Sequence, residues 1–88
     1  MENDQIFEAS AYPNPFENLT TINTNTTLAE VISIHVYDMT GKLIENREVN
    51  QKGFGNITLG DRYPSGIYNV IVSQGSDLKL FELLRDKY

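Results

Sequence analysis

The chain contains neither cysteine nor tryptophan, and basic residues are scarce. Without cysteine, disulfides and thiolate metal sites are excluded. Seven basic residues against twelve acidic ones give a net charge of −5 at pH 7. This balance argues against nucleic acid or anionic lipid as a partner, because phosphate binding needs a concentrated basic face.

Long apolar runs are also missing. No stretch approaches the roughly 18 residues that cross a bilayer. The acidic start, Met1-Glu2-Asn3-Asp4, is unlike the basic n-region of a signal peptide. We therefore expect the chain to carry no N-terminal export signal and to be a fragment of a longer protein.

The composition indicates one small β domain. The chain has 88 residues and a mass of 10.0 kDa, a size that buries roughly 64% of the unfolded surface and leaves little room for an enclosed active site. Val, Ile, Thr, Tyr and Phe make up 29 residues and Ala only 3, a bias typical of strands. Nine Asn, six Gly and three Pro supply turns.

Period-two alternation predicts the strands. Residues 31–38 form the clearest one, with Ile32, Ile34 and Val36 facing the core. Residues 67–74 place Tyr68 and Val70, with Val72, on their core face. Further strands are predicted at 5–12 (an edge strand stopped by a Pro13/Pro15 corner), 19–27 (exposed), 43–49 and 56–59 (Ile57 and Leu59 inward).

The last segment, residues 78–84, is ambiguous. Leu80, Leu83 and Leu84 have helical spacing behind a capping Ser76 or Asp77, yet a strand after a tight turn fits equally well. Seven candidate strands at short spacing predict an all-β, immunoglobulin-like antiparallel sandwich.

Turn chemistry separates these strands. Asp38 is predicted to bond to local amides while Gly41 takes a positive φ in a hairpin. Residues 51–55 are predicted as a turn, Tyr63 to Gly66 as a type I turn, and residues 74–77 as a hairpin. Tyr68, two residues after Gly66, resembles a tyrosine corner whose hydroxyl bonds to upstream backbone.

Candidates for chemistry are few. The single histidine, His35, lies in mid-strand with no second imidazole or cysteine to build a catalytic or metal site. We therefore predict no enzyme activity, no metal, no cofactor and no small-molecule substrate. Tyr12, Tyr37, Tyr63 and Phe54 are candidates for a sugar-binding row, but the chain has no Trp, and the favoured interpretation is that Tyr37 and Tyr68 are packing residues.

Three blocks carry a family resemblance: Tyr12-Pro13-Asn14-Pro15-Phe16, then residues 36–43 with the sequence VYDMTGKL, and Ser65-Gly66-Ile67-Tyr68 before a strand and a Lys-bearing end. In this order they resemble the type A C-terminal sorting domain of the Bacteroidetes type IX secretion system. An immunoglobulin-like module of flagellar hook-capping proteins shares the first block. That module represents the alternative, a structural or adhesive domain retained on a cell-surface protein.

The resemblance implies a non-catalytic, seven-stranded signal at the end of a secreted cargo. The cargo reaches the periplasm by its own signal, the type IX translocon and shuttle proteins read the domain, and a surface sortase then removes it. The implied location is secreted or at the cell surface. We expect residues 1–11 to hold the linker end and first edge strand, and residues 12–88 to form the sorting sandwich.

We expect structural need to explain most of the motif residues, and we take them as candidates for recognition as well. They are Tyr12, Pro13, Asn14, Pro15, Gly41, Gly66, Tyr68, Lys79 and Leu80. The last two begin a terminal strand that runs on further than the family ending. Its open edge is the natural place for strand addition, and its excess of apolar side chains suggests a homodimer.

Overall fold

In the computed structural model, which describes residues 6–50 and 52–86, seven antiparallel strands form two sheets. They are β1 (Phe7–Tyr12), β2 (Thr20–Thr26), β3 (Val31–Tyr37), β4 (Leu43–Asn50), β5 (Gly53–Leu59), β6 (Gly66–Gln74) and β7 (Asp77–Arg85). One sheet has the order β1-β2-β5 and the other β4-β3-β6-β7. The predicted all-β, immunoglobulin-like sandwich is confirmed. Within the described ranges no helix is long and apolar enough to span a membrane.

The core lies between the sheets and consists of alternate residues from their strands. On β3, Ile32, Ile34 and Val36 are fully buried, as their spacing predicts. On β6, Val70 and Val72 are fully buried beside Tyr68, again as predicted. The inward residues of the other strands complete one hydrophobic cluster: Phe7, Ile22, Ile57, Leu59 and Leu83, with Phe16 and Tyr63 from loops.

β2 is the central strand of its sheet, so the prediction of an exposed strand at 19–27 is wrong. Thr20, Thr24 and Thr26 are buried on its inner face, whereas Leu19, just before the strand, is exposed. The strand itself was predicted, but hydrophobic periodicity does not reveal its burial, because the buried residues are threonines. The hydroxyl of Thr20 donates to the Pro13 carbonyl at 2.7 Å.

A buried glutamine supplies the hydrogen-bond partner that the buried hydroxyl of Thr26 needs. Gln74, on β6, is almost fully buried, and its Oε1 accepts a hydrogen bond from the Thr26 hydroxyl. Its Nε2 donates to the carbonyls of Leu28 and Glu30 at 3.0 and 2.9 Å. Buried polar groups are stable when they are paired, and these bonds hold the β2–β3 connection against the opposite sheet.

β5 begins at Gly53, so the turn predicted at 51–55 is also wrong for Gly53, Phe54 and Gly55; Gln51 lies outside the described residues. The register pairs Gly53 with Thr26 and Gly55 with Thr24. Glycine-rich sequence favours turns locally, but seven residues of ladder with β2 decide the structure here.

The hairpin after β3 follows the prediction. Asp38 Oδ1 accepts hydrogen bonds from the amides of Thr40 and Lys42 at 2.9 and 3.0 Å. The Gly41 amide donates to the Asp38 carbonyl, and Gly41 has a φ of +86°. These contacts are local in sequence, which is why the sequence predicts them.

Two other expectations around the turns are resolved by the structure. The hydrogen-bonded turn near residue 63 is Gly60 to Tyr63, with the Tyr63 amide donating to the Gly60 carbonyl at 3.0 Å, and not the predicted Tyr63 to Gly66. The ambiguous last segment is a strand, because β7 pairs with β6 from Asp77↔Gln74 to Arg85↔Gly66. That pairing also confirms the predicted hairpin at 74–77.

Gly60 is the position where a side chain fits worst. Its φ is +108°, and an added Cβ would lie 2.5 Å from Phe16 Cε2 and 3.1 Å from the Asn18 carbonyl oxygen. We predict that Gly60→Ala lowers the free energy of unfolding by about 3 kcal/mol, because left-handed strain and a clash with a core ring add. Urea denaturation measures the change.

Gly41→Ala is the matched control. Gly41 also has a positive φ but has nothing within 4 Å of an added Cβ, so only the strain of about 1–2 kcal/mol applies. Equal losses for the two variants would contradict the clash with Phe16.

Candidate functional site

Three sequence blocks far apart in the chain meet at one end of the sandwich. β1, β3, β5 and β7 end there, and β2, β4 and β6 begin there. A parallel bridge between Phe16 and Arg85 joins the two sheets at this point. We call residues 12–19, 38–43, 60–68 and 84–86 the recognition end.

The first block attaches to β7 through Asn14. The side-chain amide of Asn14 donates to the Glu82 carbonyl at 2.9 Å, and its Oδ1 accepts from the Leu84 amide at 3.0 Å. The peptide bonds before Pro13 and Pro15 are both cis. The Asn14 side chain therefore pairs with β7 as the backbone of a neighbouring strand would.

Phe16 continues this attachment with its backbone. The Phe16 amide donates to the Leu84 carbonyl at 2.9 Å, and its carbonyl accepts from the Asp86 amide at 2.7 Å. The ring is 1% exposed and meets Tyr63 edge-on at 6.4 Å between centroids. The loop after β1 is thus fixed to the opposite sheet by one core ring and four hydrogen bonds.

These contacts divide the outer edge of β7 into two halves. Residues of an edge strand alternate in pointing their backbone groups toward and away from the neighbour. Glu82, Leu84 and Asp86 use backbone N–H or C=O groups to bond to the first block, so their backbone groups face the outer edge. Leu78 and Leu80 are an even number of residues away, so their backbone groups face the same edge. Among the described residues, nothing pairs with the backbone of β7 at Leu78 and Leu80 on this side.

The second and third blocks line a hollow of about 210 Å³ at the same end. Tyr68 stands at its base, and the Tyr68 hydroxyl donates to the Pro64 carbonyl, which confirms the predicted tyrosine corner. Burial, and next the nearby Asp38 carboxylate, raise the Tyr68 pKa. The hydroxyl therefore stays protonated and keeps donating at neutral pH.

Asp38 lies at the rim of this hollow. A hydrogen bond from the Thr40 hydroxyl, followed by one from the Lys42 amide, holds the Asp38 pKa below its usual range. The carboxylate is ionised at neutral pH, and it serves the turn by accepting local hydrogen bonds.

Exposed apolar side chains gather at the recognition end. Tyr12 and Met39 are 73% and 70% exposed. Four further apolar side chains at this end are exposed to a smaller extent: Leu19, Leu43, Ile67 and Leu84. An apolar group of this kind on a small acidic domain is typical of a protein-binding surface.

Sequence reasoning placed some of these residues together and missed others. Tyr12, Pro13, Asn14 and Pro15 meet Gly41, Gly66 and Tyr68 at the recognition end, whereas Lys79 and Leu80 lie along β7 away from it. Neither Gly60, which seats the Phe16 ring, nor the exposed Leu19 and Met39 was selected. Loop residues carry no periodicity, so only the three-dimensional arrangement reveals them.

The remaining candidates have structural contacts. His35 is half-buried and stacks on Tyr37 at 6.4 Å. In the part of the chain that the structure describes, no group of three or more His, Cys, Asp or Glu residues is placed to hold a metal ion.

On the side of the sandwich where β4 and β5 are the edge strands, a charged side chain bridges the two sheets. Arg47, on β4, donates to the Thr58 carbonyl on the edge of β5 at 2.9 Å and pairs with Glu45 at 2.7 Å. Glu45 accepts a hydrogen bond from Tyr63, and burial together with this carboxylate raises the Tyr63 pKa.

Comparison with known proteins agrees with this arrangement. The model of the secretion system C-terminal sorting domain matches residues 10–82. The chain belongs to this family. The sorting domain of this family is a signal of type IX secretion. Membership of the family implies export across the outer membrane to the cell surface or beyond. All three blocks of the recognition end lie within the matched range.

One solved structure is similar to the sorting domain over nearly its whole length. It is the crystal structure of dimeric latent PorU from Porphyromonas gingivalis, with a TM-score of 0.72 and 15% sequence identity. The match covers 99% of this chain and 10% of the PorU chain. At this identity the likeness shows the fold. No curated protein sequence matches the chain.

Asn14 provides a test of the attachment to β7. We predict that Asn14→Ala lowers the free energy of unfolding by about 1–2 kcal/mol, because two neutral hydrogen bonds are lost. Hydrogen exchange at the Leu84 amide should accelerate most, since that amide loses its acceptor.

Asn18→Ala is the control, because the Asn18 side chain forms no hydrogen bond within the described residues. It should leave exchange at Leu84 unchanged. Unaltered exchange in Asn14→Ala as well would show that the Asn14 side chain does not hold β7.

Proposed function

We propose that this sorting domain carries an N-terminally fused cargo from the periplasm through the type IX translocon, without catalysis, and that the secretion machinery reads its recognition end. The observation that carries the proposal is the convergence of the three blocks on one end. A partner that binds there contacts all of them at once, and the exposed apolar side chains supply its binding energy.

The Pro and Asn residues of the first block support recognition indirectly. The polar groups of the Asn14 side chain are used within the domain, so they hold the shape of the end. Met39 and Tyr12 are free to contact a translocon or shuttle protein. The hydrogen-bonded motif residues Asn14 and Tyr68 are thus positioning residues, and the exposed apolar residues, Tyr12 included, are the contacts.

Export of a reporter tests the proposal. Residues 1–88 are fused to a periplasmic reporter in a type IX-competent bacterium, and surface reporter is measured. We predict that the wild-type domain brings the reporter to the surface and that a Leu19→Ser/Met39→Ser variant reduces this about tenfold, the effect of losing about 1.4 kcal/mol of binding.

The control variant is Ile6→Ser/Val31→Ser, which removes two exposed apolar side chains at the other end of the sandwich. It should export normally. Retention of the wild-type fusion in the periplasm overturns the sorting proposal. Equal export by both variants overturns the proposal that the secretion machinery reads the recognition end.

The intact mass of the exported fusion tests removal by a sortase. We propose that residues 1–11 contain the linker end together with the first edge strand, and that the sandwich that this strand forms with residues 12–88 is removed. A surface reporter lacking the domain supports this sequence of events. A full-length surface reporter supports the alternative, a structural or adhesive module retained on the cell surface.

We also propose that the open half of the β7 edge pairs two copies in solution. Leu80 is 67% exposed and Leu78 is exposed beside it, and their outward backbone groups complete an antiparallel pair across a two-fold axis. The first block prevents pairing beyond Glu82.

Light scattering at high concentration should therefore give a dimer. Leu80→Lys should give a monomer, because a charge on an edge strand opposes pairing. A wild-type monomer overturns the homodimer and leaves the sorting role unaffected.

A further inference from the structure

The outer face of the three-stranded sheet has an unusual composition. Its register forms three rows across β1, β2 and β5. The rows are Glu8–Asn25–Phe54, Ser10–Asn23–Asn56 and Tyr12–Thr21–Thr58. The face therefore presents carboxamides and hydroxyls between two aromatic rings, with one charged group and no aliphatic side chain.

Phe54 is the feature that needs explanation. It is 84% exposed, more than any other large hydrophobic residue described. Leaving a phenylalanine in water forgoes about 1.5–3 kcal/mol relative to burying it. Because β5 includes Gly53–Leu59, the ring stands on a rigid strand beside Asn25, and not in a turn as the local sequence indicated.

The Phe54 ring borders a hollow of about 310 Å³. Glu8, Ser10, Asn23 and Asn25 line the hollow with it. Alternation turns the side chains of the two remaining lining residues, Ala9 and Thr24, toward the core, so backbone forms the floor. Within the described residues the carboxamides of Asn23 and Asn25 have no hydrogen-bond partner, so each offers both donors and an acceptor.

We propose that this face binds a neutral oligosaccharide. A sugar ring has an apolar face that packs on an aromatic ring and a rim of hydroxyls that both donate and accept hydrogen bonds, which matches Phe54 beside Asn23, Asn25 and Ser10. Nucleic acid does not fit, because the three rows contain no basic residue and the chain has a net charge of −5. A sheet-packing protein does not fit a face without aliphatic side chains.

Tyr12 extends the site to the other corner of the face. Two strand spacings across and four residues along place it roughly 17 Å from Phe54. A linear chain of several sugars spans that distance, and a single sugar does not. The site is therefore built for an oligomer or for the surface of a polysaccharide, and it lies apart from the apolar residues at Met39 and Leu84.

Nuclear magnetic resonance titration with neutral hexasaccharides tests the proposal. The isolated chain is titrated to millimolar concentration with cellohexaose, maltohexaose and mannohexaose. Saturable amide shifts confined to β1, β2 and β5 are expected for at least one of them. Absence of such shifts with all three overturns the proposal.

Variants assign the site. Phe54→Ala should weaken the observed binding about tenfold, while Phe54→Tyr should retain it because the aromatic face remains. Val31→Ala, an exposed apolar residue outside this face, should bind as wild type does. Unchanged thermal unfolding of Phe54→Ala confirms that the fold is intact, and unchanged binding by that variant overturns the assignment.

Co-sedimentation with insoluble cellulose and chitin distinguishes the source of the sugar. Binding to the polymers indicates a polysaccharide surface, and binding only to the hexasaccharides indicates a short free glycan; both support the site. Because the Phe54 variants keep the recognition end, the outcome is independent of whether the domain sorts a cargo.

Discussion

The seating of Phe16 is the contact on which the recognition end depends. Phe16 follows β1, which belongs to the three-stranded sheet, yet its amide and carbonyl bond to Leu84 and Asp86 on or beside β7 of the other sheet. Its ring is buried against Tyr63, over a position where only glycine leaves enough room. One residue therefore closes this side of the sandwich, and the prolines and Asn14 before it are brought to β7 in consequence.

At this end of the sandwich, one set of side chains holds the loops in place and a different set is exposed at the surface. Asn14, Asp38 and Tyr68 direct their polar atoms to backbone groups of the domain. Their hydrogen bonds define the loops, and the side chains left over at the surface are apolar ones such as Met39. The polar motif residues therefore hold the shape of this end, and its exposed side chains include apolar ones such as Tyr12 and Met39.

The sequence predicted the parts of the fold that rest on neighbouring residues. Ile32, Ile34 and Val36 alternate with polar residues, so their burial follows from period two alone. The Asp38 to Gly41 turn forms through hydrogen bonds within a few residues. The strand at residues 19–27 was predicted, but its exposure was wrong, and so was the turn at residues 53–55. Both errors have one cause: the burial of the threonine-rich strand and the strand at Gly53 depend on the pairing of β2 with β5.

The sequence by itself determined that the chain is a cysteine-free β domain whose short strands are separated by turn residues. It also determined the order of the three motif blocks, which is typical of a sorting signal. Composition, alternation and turn chemistry act over a few residues, and these features need no more than that. Tertiary structure decided that three distant blocks share one end, that the first block covers half of the β7 edge, and that Phe54 lies exposed beside a row of carboxamides. Each depends on strand order and register, because contacts between residues as far apart as Asn14 and Leu84 exist only once both sheets have formed.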